Sequence, residues 1–225
     1  MNVLDNPVWH GLVSRQAAFA QGEGLARRFD PTIAVFGAAR DLSRESINAL
    51  GAIVPENGAV ALLQRDQVPT PDGCDGADMG GGYQMVLTAP ERLLPPIEFV
   101  ELGEADFPTM LELATLTRPG PFLLGTPRIG GYIGVRREGR LAAMAGERFK
   151  PPGFTEISAV CTHPVFRGQG LAGALSSVAA RRIIAQGEIP ILHVFAQNTS
   201  AIVLYEKLGF EKRCEVHVKR LTRTK

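Results

Sequence analysis

Three observations predict an α/β protein built on a mixed sheet. Apolar residues alternate with period two in several short runs, stretches of helical period separate those runs, and 45% apolar residues in a chain of 225 suffice for a core. The 25 glycines and 16 prolines concentrate at 68–82 and 119–131, which read as loops or linker, and Pro95-Pro96 is the cleaner boundary. A division at 95 gives a smaller N-terminal α/β subdomain, 1–95, and a larger domain, 96–225.

Before the boundary, residues 10–28 read as helix and 33–38 as a strand; Ser43 precedes a short helix to Leu50, and 60–64 and 84–88 are short strands. Beyond it the spacing predicts a strand at 97–102, a helix at 106–117, and a hairpin of 132–137 and 140–147 turning at Glu138-Gly139. A strand at 156–162, a helix at 168–186, a strand at 191–196, a helix at 199–208 and an extended run at 214–221 complete the order.

The charges exclude some function classes. With 24 Lys and Arg against 23 Asp and Glu the net charge is +1, so no global field attracts nucleic acid or an anionic membrane, and neither is an expected partner. Cys74, Cys161 and Cys214 are odd in number and far apart, which fits a reducing cytoplasm. No export signal or long apolar span is present, and His10, His163, His193 and His217 stand singly, so no metal site is expected.

The chemistry concentrates after residue 155. Period two places Glu156, Ser158, Val160 and Thr162 on one face of a strand and Ile157, Ala159 and Cys161 on the other. A polar face on a strand flanked by helices means either a polar ligand lying against it or a side open to solvent. The chain then runs through His163-Pro164 into a helix by way of Gly168 and Gly170. Helix N-termini leave about four N–H groups unpaired and carry roughly half a positive charge, and glycines let an anion approach them. No Lys-Ser/Thr follows the glycines and they are too few for a dinucleotide turn, so the expected ligand is phosphorylated but neither ATP nor NAD.

Arg167-Gly168-Gln169-Gly170-Leu171-Ala172 resembles the Gln/Arg-x-x-Gly-x-Gly/Ala motif of the GNAT superfamily of N-acetyltransferases. Gln21-Gly22-Glu23-Gly24-Leu25-Ala26 satisfies the same pattern without a preceding strand and reads as a chance copy inside a helical region. The later copy is followed by a strand, by Asn198, and by Tyr205-Glu206-Lys207-Leu208-Gly209-Phe210, similar to the family's next strand and helix. The resemblance covers 97–221 and implies a GNAT-like fold in which two strands splay apart to admit acetyl-CoA. Residues 1–95 match no active copy, which leaves a degenerate GNAT-like half as one reading of them.

By this resemblance the backbone of Val160, Cys161 and Thr162 pairs with the pantetheine arm, and amides of Arg167, Gly168, Gln169, Gly170, Leu171 and Ala172 hold the pyrophosphate. Asn198 caps a helix and hydrogen-bonds the cofactor; Lys207 either reaches a CoA phosphate or is solvated. Tyr205 is either a core residue or the proton donor to the departing thiolate; Glu156 is either the base for the acceptor amine or a strand-end carboxylate in a surface hydrogen bond, and a water chain, used by many family members, is the other route for the proton. Cys161, mid-strand on the apolar face, is a poor nucleophile. The family usually has two strands after the last helix, whereas this sequence shows one run. The expected activity is acetyl transfer to an amine by direct attack in a ternary complex, with a non-catalytic CoA-binding sensor as the alternative. Amino acid, polyamine, aminoglycoside and protein N-terminus all remain open as acceptors.

Overall fold

The structure is a computed structural model that describes residues 2–224. Helix α1, Pro7–Leu12, starts where the Asn6 side chain accepts the Trp9 N–H and Pro7 occupies the first turn. The helix expected over 10–28 stops there: the chain folds back at Gly11, where a Cβ would lie 2.6 Å from Gln16 Oε1, and Gln16 hydrogen-bonds the backbone of Arg148 and Lys150. Residues beyond form β1, Ala20–Gln21, and β2, Ala26–Phe29, which pair with each other, while β2 also pairs with β3, Gly37–Ala39. The Gln21–Ala26 motif copy is thus a turn between strands, with positive φ at Gly22 and Gly24, and no helix N-terminus follows it.

Ser43 caps α2, Arg44–Ile53, by accepting the Ser46 N–H, as its sequence position suggests. Strand β4 is Val60–Gln64, and β5 runs from Cys74 to Leu87, so most of the glycine-rich segment read as a loop is strand. Backbone pairing along its length overrides the weak strand preference of glycine. The glycine at 82 also serves the packing: a Cβ there would sit 2.3 Å from the Val194 carbonyl oxygen.

After residue 95 the order follows the sequence reading: β6, Val100–Leu102; α3, Phe107–Thr117; β7, Tyr132–Arg137; β8, Arg140–Glu147. Positive φ at both Glu138 and Gly139 makes the tight turn between β7 and β8. Then come β9, Phe154–Thr162; α4, Leu171–Ala185; β10, Ile189–Phe195; α5, Thr199–Lys207; and β11, Phe210–Arg223. One eight-stranded sheet has the order β4-β11-β5-β10-β9-β8-β7-β6. A division at residue 95 therefore runs through a continuous sheet, with β5 between β10 and β11.

The core under α4 and α5 gathers Leu175, Ile183, Ile157, Leu192 and Tyr205, each full aliphatic burial contributing about 1.5–3 kcal/mol. Across the sheet, α3 covers Met144 and Cys161, and a further core forms around Phe149, Phe36 and Trp9. Among the described residues no helix is long and apolar enough to cross a membrane.

Candidate active site

Strands β9 and β10 are parallel, and their pairing is confined to Phe154–Glu156 against Ile189–Ile191. Beyond those residues the strands separate. Strand β9 also bulges: Met144 pairs with Cys161 and Gly146 with Ser158, so two steps on β8 oppose three on β9, and Ala159 takes φ +53. The bulge reverses the inside-outside alternation. Ile157 and Val160 both pack on the α4 core, whereas Ala159 and Cys161 pack toward α3. The single face expected for Glu156, Ser158, Val160 and Thr162 is therefore broken, with Glu156 and Thr162 on opposite sides.

A cleft of about 500 Å³ occupies this region. Its lining includes β9 from Ile157 to Val160 with His193, Phe195, Asn198 and Tyr205, and also Phe36, Leu63, Val218 and Arg220. Of the residues singled out from sequence, Val160, Asn198 and Tyr205 line the cleft. The thiol of Cys161 turns into the α3 core, where burial pushes its pKa up to about 11. The buried Thr162 hydroxyl has no partner among the described residues, and Lys207 is exposed in the last turn of α5.

Past the end of β9, Arg167, Gly168, Gln169 and Gly170 are exposed and Leu171 is buried. Gly168 and Gly170 take φ of +77 and +73, and a Cβ at either would meet nothing within 4 Å. Gly170 is the N-cap of α4 and offers no side-chain acceptor, so among the described residues the N–H groups from Gly168 to Gly173 have no partner. An open shell of donors at the positive end of a 15-residue helix suits a phosphate group. The residues present thus fit a pyrophosphate at this loop and an extended arm along the unpaired edge of β9.

Glu156 lies behind the cleft wall, fully buried. Arg148 grips it with Nε at 2.8 Å from Oε2 and Nη2 at 2.6 Å from Oε1; the Phe149 N–H and His193 Nδ1 also approach, at 3.2 and 2.7 Å. Burial would raise its pKa, but the Arg148 charge and the hydrogen bonds from Arg148 and His193 outweigh burial and hold it at about 2. A carboxylate so placed is a weak base, and Arg148 and His193 stand on the cleft wall in its place. This corrects the expectation that Glu156 itself meets the acceptor, and the alternative of a surface hydrogen bond fails for the same burial.

His193 escapes the sequence reading. The Gln84 side-chain N–H donates to its Nε2 at 3.0 Å and to the Leu4 carbonyl at 2.8 Å, which leaves the His193 proton on Nδ1, donated to Glu156. Arg213 fixes the other end of Gln84 and pairs with Asp5 at 2.6 Å. The available signal was a polar residue inside the apolar run of β10, on the face opposite Leu192 and Val194. Tyr205 lines the cleft; its hydroxyl has no hydrogen bond among the described residues, and burial pushes its pKa up to about 12. Asn198 accepts the Ala201 N–H and so caps α5.

A family profile described as FR47-like protein matches residues 132–219. A solved chain from Novosphingobium aromaticivorans, described as a GNAT-family acetyltransferase, is 37% identical with a TM-score of 0.92 over the full length of both chains. A GCN5-related N-acetyltransferase from Kribbella flavida is 14% identical with a TM-score of 0.68, covering 93% of this chain and 92% of that one. A GCN5-related N-acetyltransferase-like protein from Streptococcus suis is 16% identical with a TM-score of 0.60, covering 97% and 92%. No curated protein matches the sequence. The likeness at 37% identity over the full length of both chains shows that the chain belongs to the GNAT family of acetyltransferases.

Proposed function

We propose that the protein transfers an acetyl group from acetyl-CoA directly to an amine held in the same cleft, in a reducing cytoplasm where Cys74, Cys161 and Cys214 stay free thiols. The observation that carries this reading is the separation of β9 from β10 beside the unpartnered N–H groups of Gly168–Gly173. When bound, acetyl-CoA supplies the acetyl group as a thioester whose carbon–sulfur bond breaks as the acceptor's nitrogen–carbon bond forms. The loop from Arg167 to Ala172 holds the pyrophosphate, and the backbone of Val160, Cys161 and Thr162 pairs with the pantetheine arm. Asn198 adds a hydrogen bond from the head of α5, and Lys207 supplies a nearby positive charge. Tyr205, protonated at neutral pH, gives its proton to the thiolate.

An amine of pKa about 10.4 is almost wholly protonated at pH 7, so transfer needs a proton acceptor. Both His193 ring nitrogens are engaged, Nε2 by Gln84 and Nδ1 by Glu156, so we read the proton as leaving through water in the cleft, with Glu156, His193 and Gln84 acting as positioning residues that fix this wall. Residues 1–95 contribute Phe36, Ala61, Leu63 and Met79 to the cleft, and we read that wall as the acceptor side. Thiol release from acetyl-CoA across a panel of amines, with calorimetric titration of CoA, tests the reading. Amine-dependent release is expected; CoA binding without release for any amine would overturn the catalytic assignment, and no CoA binding would overturn the cofactor assignment.

A further inference from the structure

Resting on that reading, the cleft also defines its acceptor. No Asp or Glu is among the residues that line it, while Arg148 and Arg220 both are. A polyamine or an aminoglycoside carries several ammonium groups, and each would leave water for a wall with no carboxylate to receive it, at a cost of several kcal/mol per unpaired charge. The two guanidiniums differ. Arg148 is committed to Glu156 and stacks over Phe36 and Phe149, with its Cζ 4.8 and 4.4 Å from the ring centroids. Arg220 has no ion pair or hydrogen bond among the described residues; it lies on β11 opposite Ala61 of β4, one step of period two beyond Val218 opposite Leu63.

The wall beneath Arg220 is apolar: Phe36, Ala61, Leu63, Val216 and Val218. A cleft of about 500 Å³ shared with the thioester end of the cofactor leaves room for a small acceptor. An occupant complementary to these features carries one amine, an apolar body and one carboxylate within reach of a free guanidinium, whose fork matches a carboxylate. We propose that the acceptor is a free amino acid with an apolar side chain, its carboxylate held by Arg220.

The test compares kcat/KM for L-phenylalanine and L-leucine with phenethylamine, spermidine and kanamycin, in the wild type and R220A, by thiol release. The apolar amino acids are expected to be the best acceptors, with phenethylamine about tenfold poorer than phenylalanine. R220A is expected to raise KM for phenylalanine about tenfold more than KM for phenethylamine, with kcat less affected. Preference for spermidine or kanamycin would overturn the acceptor class and leave acetyl transfer standing. Equal effects of R220A on phenylalanine and phenethylamine would overturn the role of Arg220. No release with any amine, while calorimetry shows acetyl-CoA bound, would overturn amine acetylation and the acceptor class together.

Discussion

At Glu156 burial and charge act in opposite directions, and charge prevails: burial raises the pKa, yet Arg148 and His193 bring it from the usual 4.5 to about 2. Because the folded value lies below the unfolded one, the contribution to stability is complete above about pH 4.5 and is lost as pH falls toward 2. Glu156→Gln leaves Arg148 buried without its counter-charge, so urea unfolding at pH 7 should show a loss of about 3 kcal/mol or more. The variant should also lose less stability than the wild type between pH 4.5 and 3, and equal acid sensitivity would show that Glu156 carries none of that dependence. Tyr205→Phe removes a hydroxyl from the cleft wall without unpairing a protein group, so kcat should fall about 10²-fold with CoA affinity nearly unchanged in calorimetry. Tyr205 stood out as a member of a motif and Glu156 as a polar residue on a strand face. His193 did not, because its partner Glu156 is 37 positions away and comes close only through the parallel pairing of β9 and β10.

At the scale of elements, the strand-turn-helix from β9 to α4 was legible because the turn demands glycine at Gly168 and Gly170, where an L side chain costs about 1–2 kcal/mol. Gly170→Glu adds that strain and sets a carboxylate among the N–H donors, so CoA binding should weaken at least about 100-fold in calorimetry while the helical circular dichroism persists. Tight CoA binding by this variant would place the pyrophosphate elsewhere. The bulge at Ala159 was not legible, since nothing about an alanine announces positive φ; what fixes it is pairing with β8. Likewise the triplet Gly80-Gly81-Gly82 is indistinguishable from a loop until β11 and β10 take up its backbone. The helix expected over 10–28 failed because Gln16 is held by residues 148–150, a contact across more than half the chain.

For the whole molecule, the sheet joins both sides of residue 95, and residues from each line the cleft. A fragment of 96–225 would lose β5 from between β10 and β11, exposing two strand edges and the apolar faces above them. It should unfold without a cooperative transition; a cooperative transition with native circular dichroism would show that the sheet closes without β5. The prolines at 95–96 lie in irregular chain before β6, but long-range pairing decides what forms a unit. The central claim is direct transfer between two substrates held together, with buried Cys161 unsuited to carry the acetyl group. The measurement that tests it most directly is the initial rate of thiol release at varied acetyl-CoA and varied L-phenylalanine. Intersecting double-reciprocal lines are the predicted result; parallel lines with acetyl label retained on the protein would contradict it.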